Sequence, residues 1–272
     1  MILFVASKRD TAAVNIAEKL VTNHGLKSTT ENFDGNPVFS KTLSNGNTVK
    51  LIYIEQDSVN TQSMVFPSSL SLLVFLSRHK SLSGTPTLSV HTPGNFSKAD
   101  LGGLPRTVSI SPASAMKEAL KEMKIAQVEM SLEYEVSYEC THHGPSLNVP
   151  TMFVELGSSE KQWHDTKAAE AVARGALAAT SAITTNSAVL GIGGPHYNMK
   201  FTQKALETET AFGHIVPKYA IGELDSEILR QCVERTVEPV EKAVLDWKGI
   251  KGADKTRLLS LLSAVGLEVE KI

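Results

Sequence analysis

The histidines of this chain stand where chemistry could occur. Six of the eight fall between positions 91 and 214, mostly in loops rich in glycine and proline beside predicted strands. Those next to strand ends are His91, His142, His143, His196 and His214. An imidazole can bind a metal ion or exchange a proton near neutral pH, so these positions predict a metal or acid–base site. The alternative interpretation is that each one is a solvated loop residue.

The adjacent pair in Thr-His-His-Gly-Pro needs separate consideration. His142 and His143 diverge in direction, so they cannot chelate one ion as two histidines one helical turn apart do. One could bind a metal while the other positions it or binds substrate. No HExxH or CxxC spacing strengthens this interpretation. Cys140, two residues before the pair, is predicted to be a buried apolar residue rather than a ligand.

A glutamate inside an apolar strand gives a second candidate. Glu155 lies in Phe-Val-Glu-Leu-Gly, where an unpaired carboxylate would cost several kcal/mol of burial energy, roughly 2–7 for an uncompensated polar group. It is therefore a candidate metal ligand or general base. The alternative is a residue on an open face of the sheet.

The loop after this strand could bind an anion. Gly157, Ser158 and Ser159 precede a predicted helix, and free amides at a helix N-terminus favour phosphate or carboxylate. Lys161 adds a cation, and Trp163 adds a ring that could stack on a base, although a core tryptophan is at least as good an interpretation.

Composition excludes several classes. No GxSxG or GxxxxGK[ST] occurs, which disfavours a nucleophile-elbow hydrolase and a P-loop. The 27 basic and 29 acidic residues give a net charge of −2, which disfavours broad coating of nucleic acid. Basic residues still outnumber acidic ones in 61–110 and 161–218. The chain has only two cysteines, Cys140 and Cys232. We therefore expect the protein to reside in the reducing cytoplasm and to lack a four-cysteine zinc site.

The sequence alternates between stretches with strand patterns and stretches with helix patterns, and these elements must position the candidate residues. We predict an α/β fold with a mixed, mostly parallel sheet flanked by helices, as one domain over 1–272 with a possible hairpin lobe near 36–55 around Asn45-Gly46. The clearest predicted strand is 128–140, where apolar residues alternate with an acidic face turned outward. A further strand is predicted at 215–220. In such sheets ligands bind beyond the carboxyl ends of the strands. No apolar run is long enough to span a membrane.

Six motifs in order make the chain resemble a known family. They are Ser-Arg-His at 77–79, Val-His-Thr-Pro-Gly-Asn at 90–95, Thr-His-His-Gly-Pro at 141–145, Glu-Leu-Gly-Ser-Ser-Glu-Lys-Gln-Trp at 155–163, Gly-Ile-Gly-Gly-Pro-His-Tyr at 191–197 and Gly-His-Ile at 213–215. Together they resemble the archaeal-type D-aminoacyl-tRNA deacylases, a family that also occurs in plants.

The resemblance implies an activity and a cofactor. The expected reaction is hydrolysis of the ester between a D-amino acid and the 3′-terminal ribose of tRNA, with broad side-chain tolerance, in translation quality control. The family is described as monomeric, with two zinc ions per subunit, and its fold is similar to those of peptidyl-tRNA hydrolase and the nucleoside phosphorylases. The expected partner is the acceptor end of D-aminoacyl-tRNA, with no DNA and no membrane.

The resemblance also suggests roles for the candidate residues. The expected metal ligands are His142, His143, Glu155, His196 and His214. His142, His143, Glu155 and His214 are also the expected catalytic set. The remaining expected substrate contacts are Arg78 and Lys161 at phosphates, His91 beside the ligand set, amides of Gly157, Ser158 and Ser159 or of Gly193 and Gly194 at an oxyanion or phosphate, and Trp163 or Tyr197 on the terminal adenine.

Three alternatives stay open. The 2′-hydroxyl of the substrate could activate water without a catalytic metal. The chain could instead cleave peptidyl-tRNA esters on the same fold. It could also be a non-catalytic module that binds tRNA.

Overall fold

A computed structural model describes residues 1–67, 69–182, 184 and 187–272. Its strands are β1 (Ile2–Ser7), β2 (Lys27–Phe33), β3 (Asn36–Thr42), β4 (Thr48–Ile54), β5 (Leu72–Arg78), β6 (Thr87–His91), β7 (Gly94–Asn95), β8 (Thr107–Val108), β9 (Glu135–Tyr138), β10 (Thr151–Gly157), β11 (Ala188–Ile192), β12 (Phe212–Val216), β13 (Val240–Leu245) and β14 (Glu268–Lys271). Its α-helices are α1 (Thr11–Thr22), α2 (Ala113–Glu129), α3 (Glu160–Trp163), α4 (Thr166–Ala179), α5 (Met199–Glu207), α6 (Ser226–Glu234) and α7 (Gly252–Ala264). Short 3₁₀ turns lie at Ser58–Ser63, Ile221–Glu223 and Trp247–Gly249.

Two large sheets organise the chain, and β7 and β8 form a separate antiparallel pair. The larger has eight strands in the order β2-β3-β4-β1-β5-β10-β6-β9, and the smaller has four in the order β12-β11-β13-β14. Strands β4, β1, β5 and β10 are parallel, β6 runs antiparallel to β10, and β9 is parallel to β6. All pairs of the smaller sheet are parallel. The predicted α/β class with a mixed, mostly parallel sheet flanked by helices is confirmed.

The two faces of the larger sheet differ in character. One face carries apolar residues such as Phe4, Val74 and Val154, which form the main core beneath α1, α2 and α4. The opposite face carries Phe75 and Phe153, whose rings stack at 4.7 Å. Because side chains alternate along a strand, residues two positions beyond this aromatic pair point to the same face as the pair. This second face holds the polar residues of the candidate site.

Helix α1 follows its predicted local signals. Asp10 caps it by accepting a hydrogen bond from the Ala13 amide at 3.0 Å. Ile16 and Leu20 are fully buried on one side of the helix. Gly25 has φ of +74°, a conformation that suits glycine just after a helix end. The helix therefore begins directly after β1 and covers the apolar face of the sheet.

The predicted hairpin is also present. Strands β3 and β4 pair in antiparallel fashion, and Gly46 adopts φ of +82° in the turn between them. Strand β4 continues the pairing to β1, so the hairpin forms part of the larger sheet. The assignment of 1–272 to one domain stays a prediction.

The long strand predicted over 128–140 is wrong. Helix α2 continues to Glu129 because 113–129 is rich in alanine, lysine, glutamate and methionine, all strong helix formers. Ser131 then turns the chain at φ of +53°, and β9 spans only Glu135–Tyr138. The expected outward acidic face fails at its far end, where Glu139 is 1% exposed.

Two smaller differences concern the second sheet. The strand predicted at 215–220 lies earlier, at Phe212–Val216, since Pro217 ends the ladder. Strand β13 at Val240–Leu245 had no prediction. Among the described residues, no helix is long and apolar enough to cross a membrane.

Candidate active site

The site forms where three strands of the larger sheet and two loops converge. Glu155 on β10 pairs in register with Ser77 of β5 and Ser89 of β6, so all three side chains share the face that carries Phe153. Directly after β5 comes His79, and His91 ends β6. The loop after β9 supplies Glu139, His142 and His143, and the loop after β11 supplies His196. These side chains meet as one cluster.

Half of this cluster is organised by two buried carboxylates. Glu139 and Glu155 are 1% and 2% exposed. His79 Nδ1 lies 3.1 Å from Glu139 Oε2 and 3.2 Å from Glu155 Oε2. His196 Nε2 lies 2.8 Å from the same Glu139 oxygen. We call His79, Glu139, Glu155 and His196 the carboxylate half.

The other half contains imidazoles alone. The rings of His91, His142 and His143 lie 4.3 to 4.9 Å apart between centroids, and we call them the imidazole triad. His142 Nδ1 lies 2.8 Å from the Cys140 carbonyl oxygen, and His143 Nδ1 lies 2.7 Å from that of Gly144. A carbonyl only accepts, so each Nδ1 carries the proton and each Nε2 keeps its lone pair.

His91 is the least satisfied member of the triad. It is 1% exposed, and neither ring nitrogen has a hydrogen-bond partner in the structure. The nearest carboxylate oxygen, Oε1 of Glu155, is 3.8 Å from Nε2. A buried polar atom without a partner is rare and calls for an explanation such as an ion or a water molecule.

The two halves differ in charge. Burial alone would lower the pKa of His79, but hydrogen bonds to Glu139 and Glu155 raise it to about 10. Burial is likewise outweighed at His196, where contacts with Cys140 and Glu139 raise the pKa to about 10. Burial would raise the pKa of Glu139, yet hydrogen bonds from His196 and His79 hold it well below the usual value. This half is therefore an ionised pair of carboxylates with two imidazolium rings.

The triad is neutral by contrast. Burial lowers the pKa of His142 well below its usual value, and the neighbouring His143 and His91 lower it further. The same two causes, burial and His91, lower the pKa of His143 to about 4. A neutral imidazole with a free lone pair is the form that binds a metal ion.

Several donor sets in the cluster could hold a metal ion. In each set the candidate ligand atoms lie within 4.8 Å of one another. The sets among the described residues are His91–His142–His143, His79–Glu139–His196, His91–Glu139–Glu155 and Cys140–His142–His196. The unpartnered nitrogens of His91 and the mixture of imidazole and carboxylate donors fit a metal such as zinc.

A cavity of about 380 Å³ opens over the cluster. Its floor includes His79, His142, His143, Glu155 and His196. The other lining residues are Ser7, Asp10, Asp57, Ser58, Val59, Ser77, Arg78, Lys80 and Leu101. Sites of this size accommodate small ligands or the end of a larger one.

Three predicted substrate residues support this floor. A Cβ added at Gly157 would lie 2.7 Å from the Cβ of His79, so only glycine fits there without a shift. Trp163 Nε1 donates to the His79 carbonyl at 2.9 Å. The Arg78 guanidinium lies 5.4 Å from the centre of the Trp163 ring. The Trp163 ring thus lies beside the Arg78 guanidinium, and its role in stacking on a base stays a prediction.

The serines after Gly157 have local partners. Ser158 is buried, and its hydroxyl donates to the Thr85 carbonyl at 2.6 Å. The Ser159 hydroxyl donates to Gln162 Oε1 at 2.5 Å. Lys161 is exposed on the short helix α3. These three roles in substrate binding stay predictions.

His214 is the predicted residue that the structure does not bring into the cluster. It is fully buried, with Nδ1 3.2 Å from Thr141 Oγ1 and Nε2 3.1 Å from the Arg235 carbonyl oxygen. Both nitrogens therefore have protein partners, and His214 belongs to none of the donor sets found among the described residues. Burial lowers its pKa to about 4.

The loop around His196 carries the predicted substrate residues Gly193, Gly194 and Tyr197, whose roles stay predictions. The Gly193 amide donates to the Val216 carbonyl at 2.8 Å, and the Gly194 carbonyl accepts from the Lys218 amide at 2.9 Å. The Tyr197 ring lies 5.1 Å from that of His79, with its hydroxyl buried and unpartnered. Gly193 is thus committed to the backbone ladder, and the Tyr197 hydroxyl faces inward.

Sequence reasoning missed two members of the carboxylate half. His79 lies inside the Ser-Arg-His motif, yet the motif alone gives it no role. Glu139 is expected on an exposed acidic face, although its position at the end of a strand, just before the histidine pair, is an available signal. Cys140 is buried as predicted, and its Sγ lies 3.3 Å from His196 Nδ1.

Comparison with known proteins agrees with this geometry. The sequence profile described as D-aminoacyl-tRNA deacylase matches residues 66–270. A D-aminoacyl-tRNA deacylase of Thermococcus onnurineus is 40% identical, with 98% of each chain covered, and one of Pyrococcus furiosus is 37% identical, with 100% of each covered. A crystal structure of a conserved protein of unknown function aligns with TM-score 0.86 at 28% identity, covering 100% of this chain and 95% of that one. This chain belongs to the D-aminoacyl-tRNA deacylase family.

Proposed function

We propose that this protein hydrolyses the ester between a D-amino acid and the 3′-terminal ribose of tRNA, releasing the free D-amino acid and tRNA. The observation that carries the proposal is the buried histidine and glutamate cluster on the floor of a cavity, in a chain of this family. Relatives with full-length coverage carry the name of that activity. Ester hydrolysis needs an activated water, a stabilised oxyanion and a proton for the leaving hydroxyl, and the cluster contains groups for each task.

We assign the first metal position to the imidazole triad. His142 and His143 have their Nδ1 protons fixed by carbonyl oxygens, which leaves both Nε2 lone pairs available. His91 adds buried nitrogens that lack other partners. When bound, zinc would lower the pKa of a coordinated water to about 7 and polarise the ester carbonyl.

A second zinc position fits the carboxylate half. His79 and His196 each direct one protonated ring nitrogen at the same Glu139 oxygen, so two protons lie around that oxygen. A divalent cation carries the same charge as those two protons, so it could replace them without leaving Glu139 unpaired. This supports the expected count of two zinc ions per subunit and keeps His196 in the ligand set, while Glu155 is available through the set His91–Glu139–Glu155. His214 is not part of the proposed set.

The chain's own residues orient and neutralise the reacting group. Glu155 Oε2 holds His79 at 3.2 Å, while Gly157 and Trp163 fix the position of His79 from behind. In the absence of metal at this half, His79 and His196 carry protons that either ring could pass to the leaving ribose oxygen. Burial of the two glutamates strengthens every charge interaction in the site.

The cavity wall supports binding of a tRNA end. Arg78 is held between the Trp163 ring and Asp57, whose carboxylate lies 4.0 Å from its guanidinium. Arg78 and Lys80 line the wall, where they could meet the phosphate of the terminal nucleotide. We propose that the protein acts as a monomer on tRNA rather than DNA, in the cytoplasm. The free thiols of Cys140 and Cys232 are consistent with that compartment.

The direct test compares D-Tyr-tRNA with L-Tyr-tRNA, each with and without a chelator and added zinc. We expect fast release of D-tyrosine, slow release of L-tyrosine, and loss of activity with chelator that zinc restores. Equal rates on both enantiomers would exclude the D-specific proposal. Full activity after metal removal would instead support activation of water by the substrate 2′-hydroxyl. Preferential cleavage of N-blocked L-peptidyl-tRNA would favour the peptidyl-tRNA hydrolase alternative.

A further inference from the structure

In the smaller sheet, the side where the strands begin and the side where they end differ in charge. Near the amino ends of its strands lies a cavity lined by four glutamates, Glu209, Glu241, Glu268 and Glu270, and by Lys242. At the carboxyl ends, lysines predominate. Binding in open parallel sheets occurs at the carboxyl ends, so the basic side is the one to consider for a ligand.

The lysines come from each of the four strand ends. Lys200 begins α5 after the β11 loop, Lys218 follows β12, Lys248 and Lys251 follow β13, and Lys271 ends β14. All five are exposed. Together with Lys255 of α7 and Trp247 we call them the basic edge.

Few acidic side chains offset this charge. In the described loops and first helical turns at these strand ends, Asp246 is buried and paired with Lys200, and Asp225 and Glu227 are paired with Arg106. Glu223 and Asp254 remain, and Asp254 lies in the first turn of α7, where it complements the helix dipole. The basic edge therefore carries an excess of positive charge within a chain of net charge −2.

Trp247 brings two of these charges close together. The ammonium nitrogens of Lys255 and Lys271 lie 4.4 and 4.0 Å from the centre of its ring. Each is attracted by the ring, but the two repel each other. A bound anion would relieve that repulsion, and an aromatic ring among cations is the arrangement used for nucleic-acid strands.

A short loop joins the basic edge to the catalytic cluster. The Gly194 carbonyl accepts from the Lys218 amide at 2.9 Å, and a Cβ on Gly194 would lie 3.1 Å from Asp246 Oδ2. Two residues later, His196 lies 2.8 Å from Glu139. A molecule reacting at the cluster could therefore extend its charged body along the basic edge.

We propose that the basic edge binds the phosphate backbone of the tRNA acceptor stem while the aminoacylated 3′ end occupies the cavity. The inference rests on the proposed function, because tRNA is the polyanion whose reactive end would reach the cluster. It accounts for RNA binding by an acidic protein: the positive charge is concentrated along one sheet edge. Such contacts are independent of sequence and sensitive to salt.

The test reverses two charges and compares them with a matched pair. Lys248→Glu with Lys251→Glu changes the basic edge. Lys27→Glu with Lys124→Glu changes the net charge by the same amount on β2 and α2. All four lysines are exposed, and none has an ion pair within the part of the chain that the structure describes, so both variants should fold. Thermal unfolding checks this.

Binding of uncharged tRNA is measured against salt concentration. We expect the basic-edge variant to bind at least about tenfold more weakly, with the slope of log Kd against log salt reduced by about 2, since two lysines no longer neutralise backbone phosphates. The matched variant should bind within about twofold of wild type, because lysines that contact no phosphate release no counterions on binding. Equal weakening in both variants, or none in the basic-edge variant, would overturn the proposal.

A minimal substrate separates this proposal from the proposed function. D-Tyrosyl-adenosine ester lacks the acceptor stem, so its hydrolysis should be the same in wild type and the basic-edge variant, whereas KM for D-Tyr-tRNA should rise with kcat retained. Failure of wild type to hydrolyse either substrate would remove the proposed activity, yet the tRNA titration would still decide the role of the basic edge. An equal loss on both substrates would contradict docking by this edge.

Discussion

His79 and His196 both donate to the same Glu139 oxygen, Oε2. His142 and His143, in contrast, each donate to a backbone carbonyl oxygen. Burial acts in the same direction on all four rings, since it lowers the pKa of each. The neighbours decide the outcome: the first pair becomes positively charged and the second stays neutral. Two kinds of histidine site are thus built side by side from the same residue type.

The difference assigns separate tasks to the halves. A neutral ring with a fixed tautomer donates a lone pair to a metal. A charged ring beside a buried carboxylate stores a proton or exchanges it for a cation. Substitutions in the imidazole triad should therefore mainly change the amount of bound metal. Substitutions in the carboxylate half should also change the number of protons that the site binds.

The largest effect is expected from removing the carboxylate at the centre of the charged half. Glu139→Ala leaves the buried His79 ring and the half-buried His196 ring, both positively charged, without their shared partner, which should lower the free energy of unfolding by about 3–5 kcal/mol. Deacylation of D-Tyr-tRNA should fall at least about 100-fold. Chemical unfolding and single-turnover rates check the two effects.

A milder variant separates the loss of the Glu139 charge from unfolding of the protein. Glu139→Gln keeps the shape and removes the charge, so in chelator-treated protein the pKa of His196 should fall from about 10 toward or below the ordinary 6.5. Ring-proton NMR titration measures this. Glu135→Gln, at an exposed glutamate on β9, is the control. An unchanged His196 titration in Glu139→Gln would mean that Glu139 does not set its charge.

An intermediate effect is expected at the glycine behind His79. In Gly157→Ala, the added Cβ would lie 2.7 Å from the His79 Cβ and 2.8 Å from Thr87 Oγ1, so His79 must shift. Displacing a residue that orients a ligand costs about 10- to 100-fold in activity. Overpacking should lower stability by about 1–3 kcal/mol.

The control for that change is another glycine. Gly222 has nothing within 4 Å of an added Cβ and no positive φ, so Gly222→Ala should leave both stability and rate near wild type. If Gly157→Ala kept the wild-type rate, the packing of His79 against Gly157 would have no role in catalysis.

The smallest effect on activity is expected at His214, which belongs to neither half. Burial lowers its folded pKa from 6.5 to about 4. Between these pH values the unfolded state binds the extra proton, so stability is present above pH 6.5 and falls by up to about 3 kcal/mol as pH decreases toward 4. His214→Asn should lose this part of the pH dependence.

Activity of the same variant separates a structural role from a catalytic one. His214 has both nitrogens bonded within the protein, so His214→Asn should retain deacylation within about tenfold of wild type, the range of a lost hydrogen bond of about 1.4 kcal/mol. Loss of bound metal together with activity would restore His214 to the ligand set.

Several elements of the fold are predictable from local residues. The apolar runs of β1, β5 and β10, the Asp10 cap and the Asn45-Gly46 turn are set by neighbours in the chain, and each is present. Family resemblance led to the deacylase assignment. Helix α2 was not separated from β9, because the alternation of Val128 to Cys140 matches a strand although its first residues continue a helix.

The site was less predictable because its geometry depends on distant pairing. Glu139 reads locally as one more acid on an alternating strand, and only the pairing of β9 with β6 buries it beside His196. His214 reads as one more histidine in a glycine loop, but Thr141 and Arg235 occupy both of its nitrogens. Neither relation is encoded in spacing along the chain.

The most direct test of the account measures, in one set of preparations, bound zinc and the single-turnover rate on D-Tyr-tRNA for wild type, His142→Ala and His164→Ala. His142 belongs to the imidazole triad, and His164 is an exposed histidine outside the cluster. We predict that His142→Ala loses zinc and at least about 100-fold in rate, while His164→Ala matches wild type. Wild-type zinc content and wild-type rate in His142→Ala would contradict the assignment of the cluster as the catalytic metal centre.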